Sequence, residues 1–253
     1  MDAPEETPPP PGESSNLPGM KETALSVEYD CLYDDGRIDN SHSSRGSRVS
    51  GSVSQSFEGY LPKFNNEISL AGADAIIRYY ENEAGYMELL RDGFFLRIPA
   101  PSDEPVIYYD YADYSVAFPV ECYLTVTRYH ERYMGGAHPT HQYSVDNFNL
   151  KTGRLLTLND LFGDTAAART QLGTLIMKQL ETDGRVGALF KSVTAKTLAG
   201  KLDNNHYQID KEGITFIFNE YEIAPYVVGT ILVTIPYSQL KELLFIDVFE
   251  KVE

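Results

Sequence analysis

The sequence predicts an α+β fold built on a mainly antiparallel sheet, with helices packed on one face. Three observations carry that prediction. Strand-like and helix-like stretches do not alternate as a doubly wound parallel fold requires. Strand pairs are joined by turns of hairpin length, at Gly135-Gly136 and at Lys151-Thr152-Gly153-Arg154. The chain has 253 residues, 42% of them hydrophobic, which is enough for one large domain or two small ones with a sizeable core.

Taken in order, residues 1–20 read as a disordered linker. Pro8-Pro9-Pro10-Pro11-Gly12-Glu13-Ser14-Ser15 is stiff and then flexible. Residues 23–33 read as a strand ended by Asp34-Asp35-Gly36. The Ser- and Gly-rich residues 40–56 read as a loop leading into a weak strand around Val49–Phe57. Leu61-Pro62 opens a helix whose apolar face is Phe64, Ile68, Ala71 and Ala75. A second, short helix is expected from Glu83 to Arg91, with Gly93 as terminator.

Strands take over from Val106. Leu124 and Val126 share one face of a strand that runs through His130 and Tyr133 to Gly135-Gly136, and Gln142 to Leu150 is its partner. A helix over about Thr165–Leu180 carries the stripe Ala168, Leu172, Leu175, Ile176 and Leu180. Two strongly alternating strands follow, with Ile214, Phe216 and Phe218 on a face of the first and Ile231, Val233 and Ile235 on a face of the second. A last helix begins near Ser238 and uses Leu240, Leu244 and Val248. The expected division is a linker over 1–20, an N-terminal α+β subdomain over 21–120 and a C-terminal α+β domain over 121–253. A strand crosses the region of the boundary, so the two halves can share one sheet.

Composition narrows the function. With 21 Lys+Arg against 37 Asp+Glu, the net charge is −16, which disfavours nucleic acid and anionic lipid as partners. The same charge would steer a cationic partner towards the chain. There are 18 Tyr, 12 Phe and no Trp, so much of the aromatic surface carries a hydroxyl suited to partly wet contacts. No apolar run is long enough for a membrane-spanning helix. Met1-Asp2-Ala3-Pro4 lacks the basic start and apolar stretch of an export signal. Two accounts fit: a cytoplasmic protein, or an exported one whose signal or lipid anchor is not part of this sequence. The tether-like proline segment favours the second. Cys31 and Cys122 can be one disulfide or two buried thiols.

No Walker loop, dinucleotide-binding glycine pattern, GxSxG elbow or HExxH occurs, and no cofactor is expected. His138 and His141 are the best candidate metal pair, with Asp146 or Glu131 to complete a shell, but Pro139 prevents the helix that would bring their rings together. Glu220 and Glu222 flank Tyr221 and can share a face of an extended chain, as paired carboxylates do in glycosidases. The commoner meaning of each pattern is a turn with a locally bonded histidine and two solvated carboxylates. The run Tyr108-Tyr109-Asp110-Tyr111-Ala112-Asp113-Tyr114 places hydroxyl-bearing rings on a sheet, where they can stack on sugars or protein side chains or pack beneath a helix.

Two stretches resemble a known family. One is Met134-Gly135-Gly136-Ala137-His138-Pro139, followed by Asn147-Phe148-Asn149-Leu150-Lys151-Thr152-Gly153-Arg154 and Leu156-Thr157-Leu158-Asn159-Asp160-Leu161-Phe162. The other is Gly213-Ile214-Thr215-Phe216-Ile217-Phe218-Asn219-Glu220-Tyr221-Glu222-Ile223-Ala224-Pro225-Tyr226, then Gly229 and Ile235-Pro236-Tyr237-Ser238-Gln239-Leu240. Together they look like the RsiV-like extracytoplasmic domain of unknown function, over about residues 106–245. That domain occurs in lysozyme-sensing anti-sigma factors, in a non-catalytic region of some peptidoglycan deacetylases and in many lipoproteins. The resemblance implies an exported, lipid-anchored cell-envelope module without catalytic machinery. It implies a partner that is a cationic protein such as lysozyme, or a peptidoglycan glycan. The residues expected to bind it are Gly135, Gly136, His138, Tyr221, Glu222 and Tyr226, with the Gly135–Thr140 turn and the Glu220–Gly229 loop forming a groove along one rim. The competing expectation is a cell-wall glycan hydrolase using Glu220 and Glu222, or a metal at His138 and His141.

Overall fold

The computed structural model describes residues 38–64, 72–97, 104–119, 123–163 and 165–244. The expected linker, the strand at 23–33, Cys31, Cys122 and Val248 lie outside them. Six strands form one sheet in chain order: β1 (Ile38–Ser50), β2 (Val53–Phe64), β3 (Val106–Ala117), β4 (Tyr123–Tyr133), β5 (Thr140–Asn149) and β6 (Arg154–Leu155). Neighbours pair antiparallel except β2 and β3, which run parallel. A parallel step needs a long crossover, and α1 (Ala73–Leu96) supplies it. The sheet joins both halves of the chain, so the expected α+β class holds and no sheet edge falls at residue 120.

One face of this sheet is apolar and lies under α1. Ile76, Tyr80, Met87 and Phe94 of the helix pack with Phe57, Leu61, Leu124, Val126 and Phe148 of the strands. A buried polar staple adds to the contact. Asp146 on β5 accepts hydrogen bonds from the hydroxyls of Tyr79 (3.1 Å) and Tyr80 (3.0 Å) and pairs with Arg128 at 3.2 Å. Arg128 in turn reaches Glu83 on α1 at 2.5 Å. Gly72, at the start of α1, lies against Gly153 in the β5–β6 turn, so closely that a Cβ on either would fall on the other's backbone.

A second layer is built on the antiparallel sheet β7 (Tyr207–Ile209), β8 (Gly213–Phe218) and β9 (Ile231–Pro236). Around it pack the helices α2 (Leu158–Phe162), α3 (Ala166–Thr182), α4 (Ala195–Lys201) and the single turn α5 (Tyr237–Leu240). Leu172, Ile176 and Leu180 of α3 meet Phe216, Phe218, Val233 and Ile235 in a core of their own. Thr157 begins α2 with a capping box that includes Asp160. This layer sits on the other face of the large sheet, over its Tyr123–Thr127 end only. The seam is polar: Asn147 donates to the Tyr207 carbonyl (2.8 Å), accepts from the Ile209 amide (3.2 Å) and accepts from the Thr125 hydroxyl (2.9 Å).

Three expectations are corrected. Residues 40–56 are a strand pair, not a loop. Their covered positions are His42, Ser44, Gly46 and Arg48, so no apolar alternation marks the strand. Ser44 is buried and accepts from Arg91, and Gly46 lies under the Phe95 ring. Leu61-Pro62 ends a strand and opens no helix. The β2–β3 ladder stops at Gly59 opposite Ala112, so Pro62 needs no donor towards β3. The two expected helices are one 24-residue helix that passes through Gly93. A glycine costs a helix about 1 kcal/mol relative to alanine, which packing of this face outweighs.

Candidate functional site

The rim expected from the two loops exists. In the turn between β4 and β5, Gly135 and Gly136 take φ of +85° and +111°, conformations that side chains disfavour. Tyr133 braces the turn by donating to the Gly136 carbonyl at 2.9 Å. The turn presents His138 to the loop between β8 and β9. The His138 ring stacks on Tyr226, with centroids 3.6 Å apart and planes 17° from parallel. Its Nε2 lies 3.1 Å from the Tyr221 hydroxyl, and its Nδ1 lies 2.8 Å from the Pro139 carbonyl. Tyr221 is the one non-glycine residue at positive φ (+63°) among the described residues, and it is 56% exposed. Such a conformation persists only where the surrounding structure holds it, here the bond to His138 and the ring contact with Tyr226.

Four further bonds fasten the loop to the sheet. Glu220 accepts from the His141 amide at 3.1 Å, and its other oxygen meets His141 Nδ1 at 2.7 Å. Asn219 accepts from the Tyr143 amide (2.8 Å) and donates to the Tyr143 carbonyl (2.9 Å). Glu222 turns inward on its own loop: it accepts from the Asn219 amide at 3.1 Å and lies 3.8 Å from His206. Gly135, Gly136, His138, Tyr221 and Tyr226 therefore gather on the rim, and Glu222 closes the loop behind them. Glu220 and Glu222 serve different partners. His138 and His141 both lie beside Tyr226 but bond separately. Among the described residues, no group of three or more His, Cys, Asp or Glu side chains is arranged to hold a metal ion.

Beside the rim the large sheet is open. On the face away from α1, strand register aligns side chains in rows that cross the strands. The central row is Arg45, Glu58, Tyr111, Glu131 and His141. It is flanked by Tyr109 and Tyr133 on one side and by Tyr60, Asp113, Tyr129 and Tyr143 on the other. Glu131 accepts from Tyr109 (2.5 Å) and Tyr129 (2.7 Å) and lies 3.9 Å from His141. Asp113 accepts from Tyr111 (2.9 Å), and Glu58 is bonded by Tyr60 and Arg45. Burial, then the bond to Glu131, raises the pKa of Tyr109 and of Tyr129. Burial followed by the charges of Glu220 and Glu131 pushes Tyr143 up to about 12. These phenols stay protonated and act as donors.

Sequence reasoning weighed Glu131 only as a ligand completing a metal shell, did not single out Tyr129 or Asn219, and took Glu220 only as half of a carboxylate pair. The alternation of β4 held a signal for the first two, since Tyr129, Glu131 and Tyr133 share one face.

Fold and rim together define a two-layer α+β domain with a loop latched over an open tyrosine face. Residues 159–238 match the family model described as "Protein of unknown function (DUF3298)"; they cover the second layer and its rim loop. Two crystal structures of DUF3298 family proteins share the fold. The one from Bacteroides fragilis is 20% identical with a TM-score of 0.53, covering 81% of this chain and 92% of that one. The one from Pseudomonas aeruginosa is 16% identical with a TM-score of 0.59, covering 83% and 95%. A Mycobacterium tuberculosis protein named "Esterase Rv3036c" is 28% identical over 113 residues, 44% of this chain. The match spans 47% of that protein's length, so about half of the relative lies outside it.

Proposed function

We propose that the chain is a non-catalytic, RsiV-like binding module of the cell envelope, exported and lipid-anchored, which grips a cationic protein of the lysozyme type at its rim. One observation carries this reading. The polar groups of the rim are spent on one another, His138 with Tyr221 and His141 with Glu220, while the strained Tyr221 keeps its ring exposed. Such a site is rigid and aromatic, as a contact surface requires. The net charge of −16 favours a cationic partner. Isothermal titration with a purified c-type lysozyme tests it. Binding should weaken at high salt and fall in Tyr221→Ala and Tyr226→Ala. No heat of binding at low salt refutes it.

A hydrolase is the second reading, favoured by the name of the mycobacterial relative and by the His141–Glu220 pair, which resembles the base and its orienting carboxylate in acyl-transfer sites. Against it, the far nitrogen of His141 faces Glu131, not a hydroxyl nucleophile. Cleavage of p-nitrophenyl acetate that disappears in His141→Ala would establish it.

A further inference from the structure

We infer that the open face of β1–β5 is a second ligand surface, one that takes a linear, uncharged oligosaccharide lying across the strands. The inference rests on the reading of the chain as a binding module, and its surface meets the His138–Tyr221–Tyr226 rim at His141. Two shallow depressions mark it. One of about 360 Å³ lies between Arg45, Glu58, Tyr109 and Tyr111; another of about 450 Å³ lies beside Tyr60 and Asp113, where β2 and β3 part company.

The chemistry of the central row excludes an anionic ligand. Arg45 pairs with Glu58, but the single His141 stands between Glu220 and Glu131, so carboxylates outnumber cations. Each carboxylate still has room for one more donor. Glu131 holds two phenols, and Asp113 holds the Tyr111 hydroxyl and the Tyr114 amide, whereas a carboxylate offers about four acceptor sites. The row therefore presents fixed acceptors and a guanidinium donor to a ligand that brings hydroxyls.

The flanking tyrosines supply the apolar half of the match. Tyr109 and Tyr133 lie 5.9 Å apart on one side, and Tyr129 and Tyr143 lie 5.1 Å apart on the other. Most are pinned through their hydroxyls, so little rotamer freedom is lost on contact. A sugar ring has the same two-sided character, with C–H faces for aromatic rings and hydroxyl edges for carboxylates. The row crosses five strands, a span of about 19 Å at roughly 4.8 Å per strand gap, enough to underlie several linked sugar rings.

Titrating the full chain with chitotetraose and cellotetraose, by calorimetry at low and high salt, tests the assignment. At least one neutral tetramer should bind with a millimolar or tighter Kd, insensitive to salt and tighter than the matching dimer. Tyr111→Ala should weaken it about tenfold, the loss of one aromatic contact. Ser56→Arg, which projects a long side chain into the first depression without removing a ring, should do the same if Tyr111→Ala misfolds. Tyr221→Ala, on the side of the rim away from His141, should leave sugar binding unchanged. If neither tetramer binds while lysozyme still binds at the rim, this inference is overturned and the rim reading stands. If tetra-arginine binds instead, in a salt-dependent way that Tyr111→Ala abolishes, the occupant is a cationic peptide and the inference is equally overturned. If neither lysozyme nor any sugar binds, both readings fall.

Discussion

Replacing Glu220 with alanine should free the β8–β9 loop from the sheet while leaving both hydrophobic cores intact. The Glu220 side chain is 9% exposed and accepts two hydrogen bonds from one residue, His141. A hydrogen bond to a charged group contributes about 1.5–3 kcal/mol, and breaking a fully buried ion pair costs about 3–5 kcal/mol. His141 is 25% exposed and can be rehydrated. The expected loss is therefore about 2–3 kcal/mol, less than two full charged bonds. For a domain of this size that lowers Tm by about 4–12 °C. Urea unfolding gives the total. Amide hydrogen exchange locates it: residues 219–229 should lose protection well before the strands of the large sheet, because local opening precedes global unfolding. Glu220→Gln, which keeps an acceptor for the amide but not the charge, should lose roughly half as much. A Glu220→Ala change below about 0.5 kcal/mol, with unaltered exchange in the loop, would refute the claim that this carboxylate is the latch.

Three further outcomes are expected. Burial alone would raise the Asp110 carboxyl, but the bonds and charges of His130 and Arg132 outweigh it and hold its pKa below the ordinary range. A lowered folded pKa gives stability that is present above the ordinary value of about 3.9 and is lost as pH falls through the folded one, so Asp110→Asn should flatten the acid limb of a plot of Tm against pH; parallel limbs contradict this. Asp146→Ala should cost about 2–4 kcal/mol in urea unfolding, because it leaves the buried Tyr80 and half-buried Tyr79 hydroxyls without their acceptor and Arg128 with Glu83 alone. Asp146→Asn should cost less, since burial already raises this carboxyl towards its neutral form. Tyr221→Asn should hold or raise Tm, because asparagine tolerates positive φ, yet it should abolish lysozyme binding; retained binding would remove Tyr221 from the rim.

How much of this was legible in the sequence depends on the range of the forces involved. The strands from Val106 to Leu150 announced themselves because alternation and glycine turns are local, and α3 did so through its apolar stripe. β1 was invisible, since its covered side is made of serine, glycine and two basic side chains that α1 lends partners to. The long α1 was split in two because Gly93 reads as a stop when only neighbours are counted, whereas Phe94 on the next position is buried in the core. At the site, the meeting of His138 with Tyr221 and Tyr226 followed from placing two loops on one rim. The exchange of roles between Glu220 and Glu222 did not. Glu222 is claimed by an amide three residues away, and Glu220 by a histidine 79 residues away. Only the folded register decides between them.

The polar seam between the layers explains why an open face exists at all. A mostly antiparallel sheet can leave one face to water, and that face then carries polar side chains. Here the second layer stops after Thr127, where the Thr127 hydroxyl meets Gln208 at 3.3 Å. Beyond that point the outward residues of β4 change from threonine to Tyr129, Glu131 and Tyr133. A tyrosine ring shields the strands beneath it from water, and its hydroxyl, bonded to a neighbouring carboxylate, keeps the surface soluble. The half-face is thus stable without a cover and still offers rings and acceptors to whatever lies on it. Substituting those tyrosines by phenylalanine would keep the shield and strip the donors, turning the same surface into an aggregation-prone patch. The carboxylates they hold are what make an open sheet tenable beside a latched loop.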